Sequence, residues 1–273
     1  MRMSEWTPEI IGFMEDASQG SDYFEKLAEI ALRDLPRGSL VCDAGCGLGQ
    51  LSFSMAAAGM KVHALDRNPN ALSHVSRKTK EADIAPQVTP ILADFGQEDF
   101  SRTVYDRMVF SLSSSAVNAF HSAWLHQAKS LVVINKIHTS KPTVVDDRPI
   151  VYNLEHTVGQ LCALGLTTTA SDIVLHLDQP FRSLADAQRY FELFRTRTFP
   201  HGATIEQLKT TLHATEESDY PYLLPVSRHL AIFRIDMPCR APRQEARRAQ
   251  EALDRFFCQQ GGAKRSHAKE RLQ

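Results

Sequence analysis

Apolar residues recur at helical spacing in the opening segment 6–16 (Ile10, Ile11, Phe13, Met14). They recur again after Ser21-Asp22, where Phe24, Leu27, Ala28, Ala31 and Leu32 form one stripe that Pro36-Arg37-Gly38 ends. The pattern then shortens and alternates. Strands are expected at 39–43, 61–66, 88–92, 106–112 and 130–135, with helices over 50–59, from Asn68-Pro69-Asn70 onward, and over 115–129. Strand and helix in strict succession predict a parallel sheet covered on both faces. Beyond residue 150 the pattern loosens: helices are expected over 151–164, 183–195 and 204–214, strands over 168–177 and 229–235, and an amphipathic helix over 242–258. Ser183 with Asp186 three residues on resembles a capping box. No internal repeat is present, and residues 261–273 are expected to be disordered.

The most informative stretch is Val41-Cys-Asp-Ala-Gly-Cys-Gly-Leu-Gly49, a glycine turn between a strand and a helix. Such a turn lets a ligand approach the backbone and is expected to leave the helix's first N–H groups facing it. A nicotinamide fingerprint would place its third glycine at position 50, which is Gln50, and Asp43 would repel a pyrophosphate. Asp66 ends the second strand, where an acid can accept both ribose hydroxyls of an adenosine. Asp94 follows the third strand, where it can accept an adenine amino group while the N–H of Phe95 reaches a ring nitrogen. Three acids at successive strand ends suit an adenosine joined to an amino acid, with no phosphate to neutralise.

These residues resemble the first three motifs of the class I S-adenosylmethionine-dependent methyltransferases over about residues 21–135. The resemblance implies a doubly wound, Rossmann-like α/β fold with a seven-stranded sheet whose last strand runs antiparallel. It implies S-adenosylmethionine as cofactor, with Gly45, Gly47 and Gly49 near the methionine moiety and Asp43 at its amino-acid end. Asp66 would hold the ribose and Asp94 and Phe95 the adenine, with Arg67 and Ser111 as further cofactor-binding candidates. The expected organisation is N-terminal helices (1–38), a cofactor-binding core (39–180), a helical cap insertion (181–227), the last core strand (228–238) and a basic tail (239–273). A poorly characterised subset of the family resembles this chain in its serine-rich fourth strand end and in Phe181-Arg-Ser-Leu-Ala-Asp-Ala187.

The expected activity is methyl transfer to O, N, S or C of a small-molecule acceptor. Alternatives are other chemistry on the same cofactor, such as aminocarboxypropyl transfer, or a binding protein without catalysis. The Asn/Asp-Pro-Pro-aromatic signature of base-amino and glutamine methylation is missing from Phe110-Ser-Leu-Ser-Ser-Ser115. Those serines either line the sulfonium or cap the following helix. Ser113, His121 and His138 are catalytic candidates, with His126 and His156 as further bases; Tyr23, Tyr152 and Trp124 are candidates for the pocket wall.

Composition narrows the setting. Apolar residues at 43% and charged residues at 23% of 273 suit a globular domain with a substantial core. The net charge of −1 divides into about +5 from residue 240 onward and about −6 before it, and the basic tail lacks interleaved aromatics. Nucleic acid and membrane are therefore not expected partners, while a homodimer is compatible with the sequence. Cys42, Cys46, Cys162, Cys239 and Cys258 lack zinc spacing, so no metal is expected; they read as reduced and mostly buried thiols of a cytoplasmic protein. Residues 1–20 hold four acids and no apolar core of a signal peptide.

Overall fold

In the computed structural model of the chain, residues 6–82, 86–94, 103–125, 128–137, 154–196 and 198–237 are described. Helices α1 (Pro8–Gln19) and α2 (Tyr23–Leu32) precede the sheet. Then come β1 (Leu40–Ala44), α3 (Gln50–Ala57), β2 (Lys61–Asp66), α4 (Pro69–Glu81), β3 (Val88–Leu92) and β4 (Arg107–Ser111). They are followed by α5 (Ala116–Leu125), β5 (Ser130–Lys136), α6 (Leu154–Ala163) and β6 (Thr168–His176). The fourth strand stops at Ser111, one residue short of the expected end, because Leu112 adopts a left-handed φ of 58°.

The segment from 177 to 226 departs from the purely helical cap that periodicity suggests. It holds α7 (Leu184–Phe194) and α8 (Ile205–Thr211), and also β7 (Gln179–Phe181), β8 (His213–Ala214) and β9 (Tyr222–Leu224) in a three-stranded sheet. Strands of two or three residues are too short to register as an alternating pattern. Finally β10 (Ser227–Asp236) returns to the main sheet, whose order is β3-β2-β1-β4-β5-β10-β6. β10 pairs antiparallel with both β5 and β6; the other neighbouring pairs are parallel.

The sheet is packed on both faces, which explains the nearly continuous apolar run Leu131–Ile134 in β5. One face carries Val41, Val62, Val109, Val132, Ile134, Leu230 and Ile232 against α2, α3 and Val75 of α4. The other carries Cys42, Phe110, Leu131, Val133, Ala231 and Phe233 against α5 and Leu161 of α6. Arginines at the amino edge orient α2: Arg107 Nη1 donates to the carbonyls of Ala31 and Arg33 (both 2.8 Å), and Arg234 Nη2 to that of Ile30 (2.7 Å). Cations there complement the negative end of the helix dipole. The first turn of α2 is thereby directed to the opposite, carboxyl edge of the parallel strands.

The insertion has its own apolar core, in which Phe13 of α1 joins Phe181, Tyr190, Phe191, Phe199 and Leu224. Polar contacts tie α1 to it as well. Arg182 Nη2 donates to Asp16 Oδ1 (2.7 Å), Tyr220 Oη donates to the same oxygen (2.8 Å), and Arg189 pairs with Glu9. On its other side α1 reaches α4 through Glu15 and Lys78 (2.6 Å). Helix α1 is thus a strut between the glycine-turn side of the sheet and the insertion.

Candidate functional site

The expected site residues gather where β1, β2, β3 and β4 end. After Ala44 the chain passes through Gly45, Gly47 and Gly49, all at positive φ (80°, 55° and 83°), before α3 begins at Gln50. The third of these serves packing. A Cβ on Gly49 would stand 2.9 Å from Val75 Cγ2 and 3.1 Å from Phe53, so only glycine fits between α3 and α4. Gly47 lies under the indole of Trp6, whose Cζ2 would be 3.5 Å from a Cβ there. Trp6 carried no signal in the sequence, because nothing local links it to the turn.

Four N–H groups of the turn itself are engaged within the chain. Gly45 and Cys46 both donate to the carbonyl of Leu65 (2.7 and 3.0 Å), Gly47 donates to Asp66 Oδ2 (2.9 Å), and Gly49 donates to the carbonyl of Cys46 (3.0 Å). A pyrophosphate cradle needs such groups unpaired. Here those of Gly45, Cys46 and Gly47 are engaged by the second strand, and the carboxylate of Asp66 takes part in closing the turn. Asp66, partly buried, also accepts the N–H of Asn68 through Oδ1 (2.8 Å), so its carboxylate is fixed by one bond to each oxygen. Each oxygen has further acceptor capacity, the requirement for holding a ribose diol. Asn68 caps α4, and Arg67 between them is exposed.

Asp43 is 1% exposed beneath the turn and accepts Ser52 Oγ (2.6 Å). Burial pushes its carboxyl up to about 6, opposed by the Ser52 hydrogen bond and reinforced by the nearby charge of Asp66. A cationic ammonium near it would favour the ionised form, and a phosphate would not. Cys42 and Cys46 lie close to it, and burial raises both thiols, reinforced in each by the charge of Asp43. Cys162, in contrast to the buried setting expected, is exposed on α6. Asp94 follows β3 at the same edge and is partly buried, while Phe95 lies outside the described residues.

The serine run after β4 resolves into distinct tasks. Ser111 closes the strand, half-buried. Ser113 Oγ donates to the carbonyl of Ala44 (2.6 Å), joining the ends of β1 and β4, so its hydroxyl is structural. Ser115 Oγ accepts the N–H of Asn118 (3.3 Å) in the first turn of α5. The Ser114 carbonyl accepts Asn135 Nδ2 (2.8 Å), and Asn135 Oδ1, buried at the end of β5, has no partner among the described residues. Leu112 stands between these serines with its side chain 44% exposed at the edge. A left-handed non-glycine residue is costly and marks a constrained position.

Of the base candidates, His121 and His156 lie among the described residues. His121 is five residues into α5, about 8 Å along the helix from its start, and its Nδ1 is buried without a partner among the described residues. His156 is exposed on α6, and Trp124 belongs to α5. His126, His138 and Tyr152 lie outside the described residues, as does the expected helix over 242–258. Tyr23, 2% exposed, sits at the first turn of α2. Among the described residues no cluster of three His, Cys, Asp or Glu could hold a metal, and no helix is long and apolar enough to cross a membrane.

Residues 41–133, about a third of the chain, match a family model described as a methyltransferase domain. A 62-residue stretch is 39% identical to an S-adenosyl-L-methionine-dependent Diels-Alderase of Neonectria sp. (strain DH2), covering 22% of this chain. That match takes in 25% of the relative, so the chain spans about a quarter of its length. The YcgJ protein from Bacillus subtilis is similar in structure, with a TM-score of 0.53 at 11% identity over 80% of this chain and 99% of its own. A SAM-dependent methyltransferase from Aquifex aeolicus gives 0.50 at 13% over 85% and 100%, and the 4+2 cyclase SpnF gives 0.52 at 15% over 79% and 82%. At these identities the likeness is one of fold. The domain match, the strand order and a turn closed on the carboxylate of Asp66 agree: residues 41–133 form a methyltransferase domain on a sheet of the class I S-adenosylmethionine-dependent methyltransferase type, with S-adenosylmethionine as its cofactor.

Proposed function

We propose that the protein transfers a methyl group to O, N, S or C of a small-molecule acceptor, in a cleft at the carboxyl edge of β1, β4 and β5 flanked by α1 and the insertion. The observation that carries the reading is the glycine turn, where the N–H groups of Gly45, Cys46 and Gly47 close on Leu65 and Asp66, with a partly buried acid at the end of the second strand. S-adenosylmethionine, when bound, supplies a methyl already activated on a sulfonium. The chain's own task is then alignment: holding the acceptor atom about 3 Å from the methyl, in line with the sulfur, and excluding water. Asp66 would hold the ribose, Asp43 would favour the amino-acid end electrostatically, and Trp6 would cover the turn. A general base is required only if the acceptor atom is protonated at working pH.

A second reading is favoured by the identity shared with the Diels-Alderase: a cyclisation dependent on the same cofactor, without methyl transfer. Aminocarboxypropyl transfer remains a third chemistry for the same pocket. Calorimetry with S-adenosylmethionine and S-adenosylhomocysteine tests the shared premise, and absence of binding by the full chain would end all three. Product analysis over a metabolite library separates them. One S-adenosylhomocysteine per product supports methyl transfer, methylthioadenosine supports aminocarboxypropyl transfer, and an intact cofactor beside an isomerised product supports cyclisation.

A further inference from the structure

Arg228 stands at the start of β10, and the antiparallel course of that strand brings it to the carboxyl edge. Leu230 pairs with Lys136, the last residue of β5, so Arg228 extends two residues past that strand's end and pairs with Leu175 of β6. Alternation along β10 puts Arg228 on the face of Leu230 and Ile232, the face that α2 covers. There its Nε is buried with no hydrogen-bond partner among the described residues. The hydroxyl of Tyr23, at the first turn of α2, is likewise buried and unpartnered. The Arg228 charge acts on two phenols, Tyr23 below the insertion and Tyr190 of α7 within it, against the burial that raises both.

Nothing on the chain's described surface neutralises this arginine. Asp16 is held by Arg182 and Tyr220, Asp178 Oδ1 accepts the N–H of Val226 (2.8 Å), and Asp22 pairs with Lys26 (2.6 Å). Arg107 and Arg234, facing the other end of α2, do find acceptors in its last carbonyls. Arg228 faces the end where the helix exposes N–H groups and the positive pole of its dipole, and Asp22 makes no side-chain cap there. Ser21 Oγ accepts the N–H of Tyr23 (3.1 Å), while the guanidinium Nε and the phenol hydroxyl at this end of α2 have no acceptor among the described residues, an arrangement that an anion would complete.

We propose that Arg228 and Tyr23 form a subsite for a carboxylate of the acceptor. The inference rests on the reading that this edge is the acceptor cleft. The planar guanidinium offers paired N–H groups that match two carboxylate oxygens, and the Tyr23 hydroxyl donates a further bond. Two strand spacings separate β10 from β4, so the carboxylate would bind about 10 Å from the strand-four end. It would anchor the acceptor remotely, orienting the reacting atom without touching it.

The test is calorimetric titration of benzoate into the full chain, with and without S-adenosylhomocysteine, using benzamide and inorganic phosphate as controls. Benzoate is expected to bind in preference to both controls. Arg228→Met should weaken benzoate at least about 10-fold and Tyr23→Phe about 3-fold, with S-adenosylhomocysteine affinity at the wild-type value and no loss of melting temperature. Arg228→Lys, which keeps the charge and loses the planar fork, should fall between. No benzoate binding by the wild type, equal binding of benzamide or phosphate, or undiminished benzoate binding by Arg228→Met would each overturn the subsite. Failure of S-adenosylhomocysteine to bind would instead strike the cofactor reading, since benzoate is also titrated in its absence.

Discussion

Two stretches of the same carboxyl edge are built on opposite principles. Around the glycine turn, polar groups answer one another: the N–H groups of Gly45, Cys46, Gly47 and Gly49, the carboxylates of Asp43 and Asp66, and the Ser113 hydroxyl all have partners within the chain. Around the start of β10, the Tyr23 hydroxyl and the Arg228 Nε have none among the described residues. A pocket for one fixed cofactor gains from rigid, pre-satisfied groups, since their geometry requires no reorganisation on binding. Unanswered donors cost stability and persist where a ligand completes them. On the proposed reading, the first stretch serves the cofactor and the second the acceptor.

If the glycine-turn side is built for internal fit, Gly49→Ala should be the most damaging change. Positive-φ strain and the clash with Val75 and Phe53 together are expected to cost about 4 kcal/mol, read by denaturant unfolding. A loss below about 1 kcal/mol would show that α3 and α4 yield easily there.

Asp43 gives a pH signature. Its carboxyl titrates near 6 in the folded chain against an ordinary 3.8, so this group imposes no penalty below about pH 4. Stability is then lost as pH rises through 6, by about 3 kcal/mol in all. Asp43→Asn, which can still accept from Ser52, should flatten that dependence and stabilise the ligand-free chain above pH 6. A wild-type melting temperature that climbs from pH 4 to 7 while Asp43→Asn shows no difference would break this account.

Asp66→Ala should weaken S-adenosylhomocysteine about 100-fold, equivalent to about 2.7 kcal/mol, because it removes the ribose acceptor and frees two N–H groups. A change under 5-fold would remove Asp66 from the cofactor site. The smallest effects form a matched pair. Ser113→Ala breaks a satisfied bond to Ala44 and is expected to lower stability by about 1 kcal/mol. Tyr23→Phe deletes an unanswered hydroxyl and is expected to leave stability unchanged or raised by up to about 1 kcal/mol. Equal losses in the pair would erase the contrast between the two stretches.

Some of this was readable in the chain itself. The Asp43 to Gly49 turn, Asp66 and Asp94 lie at strand ends that alternation located to within a residue or two, since strand, turn and helix start are short-range events. The seven-stranded sheet followed from the family resemblance, and the antiparallel last strand is as expected. The small sheet of β7, β8 and β9 was not readable, because its pairing depends on partners up to about 45 residues apart and on Phe13 from the other end of the chain. The serines of β4 were left between two tasks until the carbonyl of Ala44, 69 positions away, took the hydroxyl of Ser113.

What the sequence determined by itself is a nucleoside-binding crossover: periodicity, glycine spacing and the acid closing each strand are set by local sterics and by the reach of a few residues. Tertiary structure decided which of those groups face a ligand. It turned the loop N–H groups inward onto Leu65 and Asp66, placed Trp6 over Gly47, and carried Arg228 beside Tyr23 by reversing the last strand. Hydrogen-bond satisfaction is an account kept over the whole chain, so no local stretch can state which donor will end without an acceptor.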